Sequence, residues 1–206
     1  MKLAKHPTID TIIFDFGGVL MDWDPRYLYR KIFDSEEKME WFLENVCTSE
    51  WNHQQDAGRD LEEAIKIKQE EFPEYKAEIA AFYHRWVETL GGSIEENVAL
   101  LRSLEGGPYR LYGLTNWSQQ TFPIVYEDYD FFKIFEGIVV SGAEKMAKPD
   151  KEIFELILSR YGIEASKALF IDDSKANIDT AKDMGFHTIH LTPEKKLEEE
   201  LTQTLS

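Results

Sequence analysis

The sequence predicts an α/β protein: a doubly wound, mostly parallel sheet with an inserted block of helices. Three observations carry this. From residue 93 onward, short β-branched and aromatic runs alternate with stretches of helical period. One strand-like run, Thr8 to Phe16, stands alone before a Gly pair, Gly17-Gly18. Between them, from Pro25 to about Leu90, no run reads as a strand.

Taken in order, the first run is β-branched and aromatic and ends on Asp15 and Phe16. The helical block follows. SEEKMEWFLENVC opens on Ser35, a residue type that caps helix N-termini. RDLEEAIKIKQEEF and YKAEIAAFYHRWVETL carry apolar residues at helical spacing, and Gly91-Gly92-Ser93 breaks the pattern. IEENVALLRSLEG then reads as a helix stopping at Gly106-Gly107, YRLYGLTN as a strand, and SQQTFPIVYED as a short helix disturbed by Pro123. FEGIVVSG, ALFIDD and FHTIHL are three further strands. DKEIFELILSRYG, SKANIDTAKDMG and PEKKLEEELTQTL are the helices that follow them or come between them. Residues 1–21 and 93–206 are therefore expected to form the core, with 22–92 inserted as a helical unit.

Composition bounds the function. The chain has 206 residues, 43% hydrophobic and 30% charged, enough apolar content for a packed core. A net charge of −16 excludes a basic nucleic-acid footprint and disfavours an anionic membrane surface. No apolar run approaches the roughly 20 residues of a spanning helix. The basic start MKLAKHPTID lacks the apolar segment of a secretion signal. Cys47 is the sole cysteine, so no internal disulfide can form, and a reducing cytoplasm is the expected location. A monomer is favoured, and no nucleic-acid or membrane partner is expected.

In doubly wound sheets, ligands bind beyond the C-terminal ends of the strands. The strand ends here are Asp15, Leu114-Thr115-Asn116, Ser141 with the loop to Lys148-Pro149-Asp150, and Asp172-Asp173. A hydroxyl, a lysine and three carboxylates thus converge on one rim, a set suited to a cation and an anionic ligand.

FDFGGVLMD, LTNWS, KPDKEIF and FIDDSKANIDTAKDMGF, in this order, resemble the four motifs of the haloacid dehalogenase (HAD) superfamily. The resemblance implies a Rossmann-like core with a helical cap after the first motif. It implies that Asp15 is a nucleophile toward phosphorus, forming an aspartyl-phosphate that water then cleaves. Asp15, Asp173 and the Gly17 carbonyl would hold Mg²⁺, with Asp172 behind them and Asn177 orienting Asp173. Thr115 would donate to phosphoryl oxygens, and Lys148 would offset negative charge. Asn116 would hold the loop or the substrate.

The first motif departs from the usual Asp-x-Asp-Gly: the second Asp is Gly17. That Asp ordinarily supplies a proton to the leaving oxygen, help typically worth about 10²–10⁴-fold. Three readings stay open. The first is a phosphatase of the branch that includes sugar-1-phosphate phosphatases, with a small phosphorylated metabolite as substrate and Asp22, Asp24 or His53 as replacement donors. The second is a metal-free 2-haloacid dehalogenase, against which Asp172-Asp173 argues. The third is a binding or regulatory module.

Trp23, Trp51, His53, Gln54, Gln55 and Arg59 are candidates for the cap side of the site, with His53, Gln54 and Arg59 expected to touch substrate. Trp51 and Trp86 also suit a core, as does Cys47. His84, His187 and His190 lack metal-site spacing, and VYEDYDFF suits either the core or a contact surface. Cap hinges are expected at Asp22 to Pro25 and Leu90 to Ser93.

Overall fold

The computed structural model describes residues 6–206, so the first half of the basic start MKLAKHPTID lies outside the described residues. Strand β1 (Thr11–Phe14) runs into a tight turn and the short β2 (Met21–Trp23). Five helices follow: α1 (Arg26–Tyr29), α2 (Glu36–Asn45), α3 (Ser49–Asp56), α4 (Leu61–Glu71) and α5 (Lys76–His84). Three of them begin on a side chain that accepts a backbone N–H: Ser35 from Lys38, Thr48 from Trp51 and Asp60 from Glu63. Each cap satisfies a donor that the first helical turn leaves unpaired.

Beyond α5 the chain winds through a 3₁₀ turn at Trp86–Thr89 into β3 (Leu90–Ser93). β3 pairs antiparallel with β2, Met21 facing Ser93 and Trp23 facing Leu90. The two segments expected to be hinges therefore form a two-stranded ribbon at the root of the helical unit. Sequence reading missed these strands because they are three and four residues long, and Gly91-Gly92 offers no alternation to see.

The remainder is α6 (Glu95–Leu104), β4 (Arg110–Thr115), α7 (Phe122–Tyr126), β5 (Gly137–Val140), α8 (Ser141–Glu144), α9 (Lys151–Tyr161), β6 (Ala168–Asp172), α10 (Lys175–Asp183), β7 (His187–His190) and α11 (Leu197–Thr204). The main sheet has the order β5-β4-β1-β6-β7, every pair parallel. β1 is the switch point, since the chain goes first to one side of it and then to the other.

Alternation sorts the strand residues onto two faces. Ile12, Phe14, Leu169 and Ile171 belong to one apolar cluster with α6, α11 and the buried side of the helical unit. Ile13, Leu114, Val139 and Phe170 belong to the other, with Ile153, Phe154 and Ile157 of α9 and Ile178 of α10. VYEDYDFF joins the core: Phe131 and Phe132 are buried, and Phe132 packs on Phe16 at 5.0 Å between ring centroids. Trp51 is buried edge-on to Phe82, and Cys47 is buried with its thiol pushed up to about 12 by burial.

Candidate active site

The parallel register brings the strand-end residues together. Phe14 pairs with Gly113 on one side and Ile171 on the other, so the next residues out are Asp15, Leu114-Thr115 and Asp172. The Asp15 N–H continues the ladder to the Ile171 carbonyl at 2.9 Å. One oxygen from each of Asp15, Asp172 and Asp173 lies within 4.8 Å of the others.

Lys148 enters this cluster from the loop before α9. Its Nζ lies 2.9 Å from Asp15 Oδ1 and 2.7 Å from Asp172 Oδ2, and donates to the Leu114 carbonyl at 2.9 Å. Lys148 is 1% exposed, so this ammonium has no water to replace its partners. Burial alone would favour loss of its proton; Asp15 and Asp172 overcome that and hold it above its ordinary range. Burial pushes Asp15 up to about 7 against the pull of Lys148, with Asp172 and Asp173 adding to the rise. Three carboxylates around one ammonium leave excess negative charge.

Asp172 is wholly committed to protein. Beyond Lys148, its carboxylate accepts the Ser174 N–H at 2.8 Å and the Asn177 amide at 3.0 and 3.1 Å. Asn177 therefore orients Asp172 rather than Asp173, a correction set by helix geometry: Asn177 lies in the first turn of α10 and reaches back toward the strand end. Asp173 is exposed, and partial burial of its carboxyl, then the neighbouring Asp172, raises its proton affinity. Its backbone carbonyl accepts from His190 Nε2 at 2.9 Å, which gives that histidine a structural role at the rim.

The glycine pair has two different jobs. Gly18 has φ +67°, and a Cβ there would stand 2.3 Å from Asp173 Oδ2. Only glycine lets this turn close against that carboxylate. A Cβ on Gly17 would meet nothing within 4 Å. The Thr115 hydroxyl is buried with no hydrogen-bond partner among the described residues, an unusual state for a polar group in a core. Asn116 faces the Lys148 loop: its amide donates to the Lys148 carbonyl at 2.8 Å and accepts the Lys148 N–H at 2.9 Å. Both ends of the amide thus position the lysine rather than a substrate.

A cavity of about 100 Å³ lies between the core and the helical unit. Gly17, Asn116, Trp117, Ser118 and Thr121 bound it from the core; Trp23, Asn52, Asp56, Tyr83 and Trp86 bound it from the other side. Of the three cap residues expected to touch substrate, none lines it. His53 and Gln54 are exposed on the far face of α3, and Arg59 donates from Nε to Gln55 Oε1 at 2.7 Å while its buried Nη2 has no hydrogen-bond partner among the described residues. The reason is rotation: residues 51, 52, 55 and 56 share one side of α3, and 53 and 54 face away. Asn52 and Asp56 escaped the sequence reading, although the buried pair Trp51 and Gln55 beside them marks the inward face. Asp22 and Asp24 are also engaged, Asp22 with the Tyr27 hydroxyl and Asp24 with the N–H of Arg26.

A hydrogen-bonded chain runs through this wall. Gln55 Nε2 donates to the Tyr83 hydroxyl at 3.0 Å, Tyr83 donates to Asn52 Oδ1 at 2.9 Å, and Asn52 Nδ2 donates to Asp56 Oδ2 at 2.9 Å. The Ser118 N–H also donates to the Asp56 carboxylate, yet burial prevails and pushes it up to about 7.

Comparison with known proteins finds relatives over most of the chain. A sesquiterpene phosphatase of Aspergillus oryzae is 29% identical over 186 residues, covering 90% of this chain and 91% of that protein. A phosphorylated carbohydrates phosphatase of Thermotoga maritima is 28% identical over 191 residues, covering 88% and 84%. The fold is shared with a HAD family enzyme of Bacteroides thetaiotaomicron crystallised with magnesium and inorganic phosphate, at a TM-score of 0.69 and 24% identity, covering 93% of this chain and 98% of that one. A family profile for haloacid dehalogenase-like hydrolases matches residues 9–185, and the chain belongs to that family.

Proposed function

We propose that this hydrolase is a Mg²⁺-dependent phosphatase acting on a small phosphorylated metabolite, a sugar phosphate first, through an aspartyl-phosphate on Asp15. The observation that carries the reading is the unpartnered Thr115 hydroxyl beside the Asp15–Lys148 pair. A donor with nothing to bind, next to a carboxylate and an ammonium, suits an incoming phosphoryl oxygen.

Asp15 attacks phosphorus as the P–O bond to the leaving group breaks, and water then releases phosphate. Lys148 offsets the charge gathering on Asp15 and the phosphoryl oxygens, and Asn116 keeps that lysine in place. The residues fit a divalent cation. The carboxylates outnumber the one ammonium, among the described residues no cation forms an ion pair with Asp173, and the Gly18 turn lies against it. Asp15, Asp173 and the Gly17 carbonyl would hold the ion, which supplies the positive charge that lets two anions approach. The Bacteroides enzyme, crystallised with magnesium and phosphate, supports this by fold alone.

Residues 22–92 would act as a cap that excludes water from the cavity. The lone buried thiol of Cys47 suits a reducing cytoplasm. Among the described residues no helix is long and apolar enough to cross a membrane.

Trp23, Tyr83, Trp86 and Trp117 make the cavity wall largely aromatic. That favours a second substrate class, prenyl phosphates, which the sesquiterpene phosphatase relative also supports. Phosphate release should therefore be screened over sugar phosphates, other small phosphate esters and prenyl phosphates, with and without Mg²⁺, for the wild type and Asp15→Asn. Release that needs Mg²⁺ and vanishes in Asp15→Asn is the expected result. Metal-free halide release from 2-haloacids, or metal-dependent binding without turnover, would overturn it.

A further inference from the structure

We propose that Asp56, carried by the helical unit, is the proton donor and acceptor that this site uses in place of the carboxylate absent at Gly17. The inference rests on the phosphatase reading above. Its basis is position. Asp56 and Gly17 bound the same cavity from opposite sides, and among the described residues that line it Asp56 alone carries a carboxyl. The space where a side chain of residue 17 would stand is open, with no atom within 4 Å of its Cβ position. The other candidates are not among the residues that line this cavity. Asp22 binds the Tyr27 hydroxyl, Asp24 binds the Arg26 backbone and guanidinium, and His53 is exposed away from the cavity.

The surroundings of Asp56 suit the task. Both of its recorded partners, the Asn52 amide and the Ser118 N–H, are donors. Neither can accept the carboxyl's proton, so the cavity is left as its outlet. Among the described residues no lysine or arginine forms an ion pair with Asp56, and burial holds its proton up to about neutrality, where transfer in both directions is efficient. The Gln55–Tyr83–Asn52 chain fixes which end of the Asn52 amide faces it. The Asp56 carbonyl accepts from the Ser141 hydroxyl and Gln120 accepts the Leu61 N–H, so the end of α3 is docked on the core rather than held at a distance.

The steps balance. As the Asp15 oxygen bonds to phosphorus, the ester P–O bond breaks and the Asp56 carboxyl gives its proton to the departing oxygen, so the alcohol leaves neutral. Asp56, now a carboxylate, then takes one proton from the water whose oxygen attacks phosphorus. Phosphate departs, the Asp15 carboxylate is restored, and Asp56 is again protonated.

The test compares two esters on the same preparation with Mg²⁺ present, so their ratio does not depend on how much protein is folded. An alkyl phosphate needs a proton on its leaving oxygen; p-nitrophenyl phosphate has a leaving group stable as an anion. Asp56→Asn is expected to lower kcat/KM for the alkyl ester by about 10²–10⁴-fold, and for the aryl ester by at least about tenfold less. Adding Gly17→Asp to Asp56→Asn should recover the alkyl ester selectively, since residue 17 has room for the side chain. Equal losses on both esters, or an unchanged alkyl rate, would overturn the proposal and leave the phosphatase reading standing. A wild type that releases phosphate from neither ester would sink both.

Discussion

Replacing Lys148 by methionine removes the ammonium while keeping a side chain of similar length. At an effective dielectric near 20, each of the contacts at 2.9 and 2.7 Å corresponds to about 6 kcal/mol of attraction. Desolvation of the buried ammonium and carboxylates cancels much of that. The net loss on breaking such a pair from one side is about 3–5 kcal/mol, because the carboxylates stay behind uncompensated. Urea unfolding at pH 7.5 in a chelator should show that loss. The sign of its pH dependence follows. Asp15 already holds its proton more tightly folded than unfolded, and losing the pull of Lys148 strengthens this, so at pH 7.5 the variant's native state holds more protons than the wild type's and its stability gains more as pH falls. The deficit against wild type should therefore shrink by pH 5. A loss below about 1 kcal/mol, or one that is constant between the two pH values, would refute the claim that Lys148 is held there as a buried counter-charge.

Asp56→Asn carries a stability prediction separate from catalysis. The folded carboxyl rises from 3.8 to about 7, so burial penalises its charged form increasingly as pH climbs through that window, to a ceiling of about 4 kcal/mol above it. The variant should gain on wild type at pH 8.5 and not at pH 3.5; equal differences at both would contradict the burial argument. Gly18→Ala should lose at least about 1–2 kcal/mol from the left-handed backbone alone, while Gly17→Ala should be near neutral in thermal melts. Matching losses would show that the turn does not distinguish them. Mg²⁺ with a phosphate mimic should raise the melting temperature, by about 2.7 kcal/mol of stabilisation at a hundredfold excess over Kd. Asp173→Asn should abolish the part due to Mg²⁺, and an undiminished shift would remove Asp173 from the ligand set.

The mostly parallel α/β fold could be read from sequence alone because the rhythm of β-branched runs and amphipathic helices is local information. So could the rim residues Asp15, Thr115, Lys148, Asp172 and Asp173, since in a parallel sheet whatever ends a strand lies on the same edge. The partners of those residues needed three dimensions. Whether Asn177 turns to Asp172 or Asp173 depends on the rotation of α10 against β6, and Asn116 meets Lys148 across 32 residues of chain. The cap wall was least legible. Its polar residues Asn52 and Asp56 lie on one helix, where a step of one position swings a side chain by about 100°, so His53 and Asp56 differ in role although they are three residues apart. Only docking of that helix on the core decides which side faces the cavity. Composition and motif order determined the family-level chemistry; the tertiary structure decided that a carboxyl 39 residues along the chain stands opposite the gap at Gly17.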